Sequence, residues 1–305
     1  MIICCGEALI DMLPRSIEGE GDGFLPVPGG AIFNTAIALG RLGENASFLS
    51  ALSADMFGEQ LVDALQASHV RTDLCVRSPQ PTTLAFVKLV DGHATYSFFD
   101  ENSAGRSLEF EQIARMPSQA EAFQFGAISL IPEPCGSAYE QLMASNQDKV
   151  LCLDPNIRPG FIDDPAKHRA RIQRMVAMAD VVKVSDEDLD WIADGQSVQN
   201  MVDRWLSGAT QVVLITRGSE GVDACMSSGT FREPASKVEV VDTIGAGDTF
   251  NAGFLAGLKR SGLLSKKALA KASAEDLSPA LALAVKVAAH TVSKPGADPP
   301  WQHEL

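Results

Sequence analysis

The chain has 305 residues and 32.4 kDa, of which 46% are hydrophobic and 21% charged, at a mean hydropathy of +0.05. This is globular composition with enough chain for a large core, which excludes a disordered or fibrous protein. Lys plus Arg number 25 against 39 Asp plus Glu, a formal charge of −14, so general binding to nucleic acid or to an anionic membrane surface is not expected, although a local cationic pocket is compatible with it.

In chain order, residues 1–10 read as a buried strand. Met1 to Cys5 is apolar but short, and Glu7 and Asp11 follow at once, so no secretory signal is expected. Ala31–Leu42 has helical spacing and stops at Gly43, which suits a left-handed helix end. A short strand near Ala46–Leu52 leads into a helix around Phe57–Ala67. Thr82–Phe99 is rich in Thr, Val, Phe and Tyr and carries Asp91-Gly92 at its centre, which predicts an antiparallel hairpin. Strands are then expected at Phe125–Leu130, Val150–Leu153, Val181–Val184 and Val212–Thr216. Between them helices are expected at 136–146, 165–178, 186–193 and 197–207. This alternation predicts a doubly wound, mostly parallel α/β sheet, whose ligands bind beyond the carboxyl ends of the strands. A second hairpin is expected over 221–241.

The late Ala/Leu-rich segment is cut by Lys286 and His290 and falls short of the ~20 apolar residues of a membrane span. The six cysteines (Cys4, Cys5, Cys75, Cys135, Cys152, Cys225) lack C-x-x-C spacing and read as reduced, buried thiols of a cytoplasmic protein. The five histidines show no metal-ligand spacing, and the P-loop, dinucleotide, G-x-S-x-G and H-E-x-x-H motifs are missing.

Two glycine elements carry the chemistry. Asp242-Thr243-Ile244-Gly245-Ala246-Gly247-Asp248 precedes a helical run, Asn251–Lys259. Gly245 and Gly247 permit a sharp turn and leave amides open at a helix start, where an anion is favoured. Asp248 is there either as a helix cap or as a general base toward a hydroxyl attacking a bound phosphate. The second element, Gly29-Gly30 with Asn34, permits close approach of a ligand or is a plain turn. Asp11 would accept hydrogen bonds from a polyol or is a surface loop acid.

Together these elements resemble the ribokinase-like (PfkB) family of carbohydrate kinases over essentially the whole chain. The early family motif matches Gly29-Gly30, Asn34, Ala36, Leu42 and Gly43, and the late signature D-T-x-G-A-G-D matches Asp242 to Asp248 without substitution. GEALIDM, YSFFDENSAGR, DPNIRPGF and VVKVSDEDL look like the bacterial fructokinase branch, and 2-keto-3-deoxygluconate kinases share several of these features. The resemblance implies an α/β domain (1–13, 29–69 and 106–305) with a small β lid (14–28 and 70–105) that covers the sugar and forms a homodimer contact. It also implies transfer of the ATP γ-phosphoryl group to a sugar primary hydroxyl, D-fructose giving fructose 6-phosphate, with Mg²⁺ and with a monovalent cation such as K⁺ left open. A non-catalytic sugar-binding protein on the same scaffold is the reading from another class.

Under the resemblance Asp248 is the base, and the amides of Gly245, Ala246 and Gly247 form the anion nest. Asp11, Gly29, Gly30, Asn34 and Phe98 bind sugar, with Tyr96 and Phe98 on one lid face and Phe99 on the other. Lys183, Ser185, Thr216, Gly218 and Gly221 approach the nucleotide. Asp188 stands where the family has the glutamate of N-x-x-E and would act on the metal through water. Arg158 would hold the transferring phosphate or a sugar oxygen, or pair with a neighbouring acid.

Overall fold

The computed structural model describes residues 1–305 apart from Glu18, Glu20, Asp91 and Gly92, with only the backbone for Ile17 and for 88–90 and 93–96. The expected Asp91-Gly92 turn and the side chain of Tyr96 therefore lie outside the described residues.

The first part of the chain forms β1 (Ile2–Cys5), β2 (Leu9–Ile17), β3 (Gly21–Gly29), α1 (Ala31–Arg41), β4 (Ala46–Leu49), β5 (Ala51–Ser53), α2 (Met56–Ala67), β6 (Val76–Ser78), β7 (Leu84–Val90) and β8 (His93–Phe99). Next come α3 (Phe110–Ile113), β9 (Ala122–Gly126), α4 (Cys135–Ser145), β10 (Val150–Asp154), α5 (Pro165–Val176), β11 (Val181–Ser185), α6 (Asp186–Ala193), α7 (Val198–Leu206) and β12 (Val212–Thr216). The chain ends with β13 (Val222–Met226), β14 (Gly229–Glu233), α8 (Ala246–Arg260), α9 (Lys266–Leu269) and α10 (Ala274–Val292).

Among the described residues the main sheet has eight strands in the order β14-β13-β12-β11-β10-β9-β1-β4. It is parallel from β4 to β12 and antiparallel over its last two pairings. Strand alternation sorts its side chains into two cores. Ile2, Cys4, Val150, Cys152, Val212 and Leu214 pack under α1, α2, α8 and α10. Met1, Ile3, Cys5, Leu151, Leu153, Val213 and Ile215 pack under α4 to α7. The doubly wound α/β class expected from the sequence is the one observed.

Two expected strands need correction. The run 1–10 is not one strand: β1 ends at Cys5, and Leu9 opens β2 in a different sheet. The strand expected over Phe125–Leu130 ends at Gly126, and residues 127–130 form a 3-10 turn.

The small sheet runs β3-β2-β7-β8, with β2–β7 parallel and its other pairs antiparallel. Residues 76–78 are not in it; they pair with β5. The late Ala/Leu-rich segment is α10, which packs along α8 and carries a Ser273–Asp276 capping box. No helix among the described residues is long and apolar enough to cross a membrane. The six cysteines are unpaired.

Candidate active site

The loop that leads from β14 into α8 puts Gly245, at φ +77°, in the N-cap position. Asp248 is thus the third residue of the helix and not its cap. Its carboxylate Oδ2 accepts the Nδ2–H of Asn34 at 2.9 Å, and its carbonyl accepts the Thr35 hydroxyl at 3.0 Å. Both donors lie on α1, so two distant helices define the position of this carboxylate. Asp248 is 7% exposed. Burial pushes its pKa up to about 6; Asn34 pulls against burial, Asp154 adds to it, and Lys183 and Arg158 oppose it. Such a group is ionised near neutrality and can take a proton.

Beneath it lies a charged group that sequence reasoning left unassembled. Asp154, at the end of β10, accepts from Lys183 Nζ at 3.0 Å and from Asn251 Nδ2 at 2.7 Å on the same oxygen. Burial pushes the Lys183 pKa down, but Asp154, Asp188 and Asp248 outweigh it and hold the ammonium above its usual value. A Cβ on Gly247 would stand 2.9 Å from Lys183 Nζ, so the bare Gly247 keeps this cation against the first turn of α8. First-turn amides have no intrahelical acceptor and carry the positive end of the helix dipole. Cation and amides converge on one place, which suits an anion.

On the other side of Asp248, Asp11 lies on β2 with its carboxylate packed where a Gly29 side chain would be. A Cβ on Gly29 would stand 2.2 Å from Asp11 Oδ2. Burial pushes Asp11 up to about 6. It is part of a strand and not a surface loop. Phe98, on β8, reaches over this end and its ring meets Phe161 with centroids 3.8 Å apart. Phe99 points the other way and is 63% exposed, as strand alternation requires.

These groups surround a cleft of about 580 Å³ at the carboxyl ends of the parallel strands. Asp11, Gly30, Asn34, Phe98, Arg158, Lys183, Ser185, Asp188, Thr216 and the 245–248 turn all border it. Gly29 does not border it and acts only by leaving room for Asp11. Gly218 and Gly221 do not border it either. Gly221, at φ +102°, faces the Glu233 carbonyl, which a Cβ would meet at 2.1 Å, so it serves the β12–β13 connection where that packs against the end of β14. Arg158 has no carboxylate partner among the described residues; its Nη1 donates to the Ile157 carbonyl at 3.0 Å.

Asp188 accepts from Ile157 N–H at 2.8 Å and from Ser185 N–H at 3.2 Å, and its own N–H donates to Ser185 Oγ at 2.9 Å. Ser185-x-x-Asp188 is therefore a capping box for α6, with two backbone donors on the carboxylate. Among the described residues no group of three His, Cys, Asp or Glu is arranged to hold a metal ion. The residues that sequence reasoning missed are Glu7, Asp154, Asn156 and Asn251. Only their place within the GEALIDM and DPNIRPGF segments and the start of the Asn251 helix offered a signal.

A family model for pfkB family carbohydrate kinases matches residues 1–304. A fructokinase of Rhizobium leguminosarum bv. trifolii is 51% identical over 271 residues, covering 88% of this chain and 83% of that protein. The crystal structure of a Xylella fastidiosa fructokinase with bound ATP superposes with a TM-score of 0.90 at 30% identity, covering 97% of this chain and 93% of the other. A Vibrio cholerae O395 fructokinase in a fructose-, ADP- and calcium-bound form superposes with a TM-score of 0.83 at 25% identity, covering 97% and 94%.

Proposed function

The chain belongs to the pfkB family of carbohydrate kinases and is an ATP-dependent sugar kinase, and we propose that its acceptor is D-fructose, phosphorylated to fructose 6-phosphate. The observation that carries the mechanism is the buried Asp248 carboxylate, held by Asn34 beside Lys183 and the open first turn of α8. Fructokinase relatives at 51% and 30% identity support the choice of sugar.

In this reading the sugar lies between Asp11, Gly30, Asn34 and Phe98. Asp248 takes the proton from its primary hydroxyl as that oxygen attacks. The amides of 245–247, with Lys183 and Arg158, stabilise charge on the transferring group, so catalysis is mainly positioning and electrostatics. This donor set, two cations and a helix N-terminus at one end of the cleft, fits a nucleotide triphosphate, with Ser185 and Thr216 beside it. Bound Mg²⁺ would neutralise β- and γ-phosphoryl oxygens. Asp188 would act on the ion through water, since its carboxylate has lone pairs beyond the two spent on backbone donors.

The small sheet acts as the lid over the sugar, with Phe98 on its inner face. Its outer face carries Phe24 and Phe99, exposed by 50% and 63%, with Phe86 between them. A second copy of the chain covers this aromatic face in a homodimer. Six unpaired cysteines support a reducing, cytoplasmic setting.

The test is ADP release with ATP–Mg²⁺ and a panel of fructose, 2-keto-3-deoxygluconate, ribose and nucleosides. Fructose should give the highest kcat/KM. A higher value with 2-keto-3-deoxygluconate would replace the sugar. No sugar-coupled ADP release, with sugar still bound, would make the chain a binding protein.

A further inference from the structure

Helix α1 carries the two groups that hold Asp248, yet it begins without a cap of its own. Its N-cap residue, Gly30, offers no side chain, and its first turn contains no acidic residue. The missing acceptor comes from Glu7, at the carboxyl end of β1. Glu7 Oε1 accepts the N–H of Ala31 at 2.8 Å and that of Ile32 at 3.4 Å. The junction is close-packed: Gly30, at φ +113°, lies so near that a Cβ would stand 2.9 Å from the Glu7 carbonyl oxygen. One helical turn further on are Asn34 and Thr35, the donors to Asp248.

The second carboxyl oxygen of Glu7 is buried and has no hydrogen-bond partner among the described residues, in a residue only 9% exposed. Glu7 borders both the main cleft and a small chamber of about 20 Å³ that Ser50, Thr83, Arg106 and Tyr139 also border, room for about one water. An ionised oxygen left so would be costly. Burial accordingly pushes Glu7 up to about 7, its own amide and those of Ala31 and Ile32 pulling against it and Asp248 adding to it. The titratable groups facing it are Asp248 on α8 and Tyr139 on α4, with Asp100 and Arg106 across the chamber.

We propose that Glu7 is a positioning residue for phosphoryl transfer: it anchors the first turn of α1 so that Asn34 and Thr35 hold the Asp248 carboxylate toward the sugar hydroxyl. This rests on the reading of Asp248 as base. Because the contact needs only an acceptor at the position of Glu7 Oε1, an amide of the same shape can replace it, whereas a side chain without an acceptor cannot. Loosening α1 weakens the Asn34–Asp248 bond, the contact that pulls the Asp248 pKa down, so the acid limb of kcat should move to higher pH.

The experiment compares kcat–pH profiles of Glu7→Ala, Glu7→Gln and Asn34→Ala in the full chain, with thermal denaturation as the fold control. Glu7→Ala should lose roughly 10–100-fold in kcat, the scale of a misplaced catalytic group, with little change in the ATP KM. Its acid limb should shift upward as in Asn34→Ala, and Glu7→Gln should recover most of the loss. A folded Glu7→Ala with wild-type kcat and acid limb overturns the proposal, as does a Gln variant no better than Ala. If Glu7→Ala does not fold, Glu7→Asp, shorter by one methylene, carries the same comparison. Asp248→Asn measured alongside separates the two readings: near-normal kcat in that variant would remove the base itself, which no Glu7 result can do.

Discussion

Asp248 combines a catalytic advantage with a cost to the fold. Its pKa stands at about 6 in the folded chain against an ordinary 3.8. A carboxyl with a raised folded pKa contributes stability that is full below the unfolded value and is lost as pH rises through the folded one. Ionised Asp248 therefore weakens the fold above about pH 6, in the same form that the proposed general base requires. Asp248→Asn should abolish the base and lower kcat by about 10²–10⁴-fold or more, and the acid limb near pH 6 should vanish with it. The same variant should be more stable than wild type at pH 8, by on the order of 3 kcal/mol, and nearly equal to it at pH 4. Denaturant midpoints at the two pH values check this. A variant of unchanged stability at pH 8 would show that the carboxylate is better solvated than its burial implies.

At the scale of elements, the two glycines of the late motif differ in their work although the motif treats them alike. Sequence reasoning expected both Gly245 and Gly247 to open a sharp turn. Only Gly245 takes positive φ; Gly247 lies within α8 and is absent from the positive-φ residues. A Cβ on Gly245 would also stand 2.6 Å from that of Ala297, so Gly245→Ala should lower stability by at least ~1–2 kcal/mol, the cost of the left-handed conformation alone. Gly247→Ala should leave the fold intact, since Ala favours a helix over Gly by up to about 1 kcal/mol. Its Cβ instead displaces Lys183, so the ATP KM should rise or kcat fall at unchanged thermal stability. A Gly247→Ala enzyme with normal ATP kinetics would remove Lys183 from the phosphate site.

At the scale of the whole molecule, β8 divides its side chains between the cleft and the outer face of the small sheet. Phe98 faces the cleft and Phe161, while Phe99 faces outward with Phe86 and Phe24. Phe98→Ala should raise the sugar KM more than the ATP KM, and steady-state kinetics with each substrate varied will show it. Phe99→Glu puts a charge on the outer face and should convert a dimer to a 32.4 kDa monomer by light scattering. An unchanged mass would mean that the outer face is not the interface.

The doubly wound sheet was legible in the sequence because alternation along buried strands and the spacing of amphipathic helices are local signals, and the order of β and α segments then leaves few topologies. Asp248 and the 245–247 turn were legible for a similar reason, since their motif is contiguous. Asp188 was legible as a motif position, but that it caps α6 was decided by the Ser185 and Ile157 amides folding onto it. Glu7, Asp154 and Asn251 could not be singled out from spacing. Glu7 finds its partners 24 residues away, Asp154 meets Asn251 across 97, and Asn34 meets Asp248 across 214. Whether Asp248 capped a helix or worked as a base was likewise undecidable from its neighbours. That it is not the cap turned on Gly245 taking that position, and the burial and direction on which the base proposal rests turned on α1 lying beside α8, because a buried carboxylate takes its protonation and its direction from the groups packed against it.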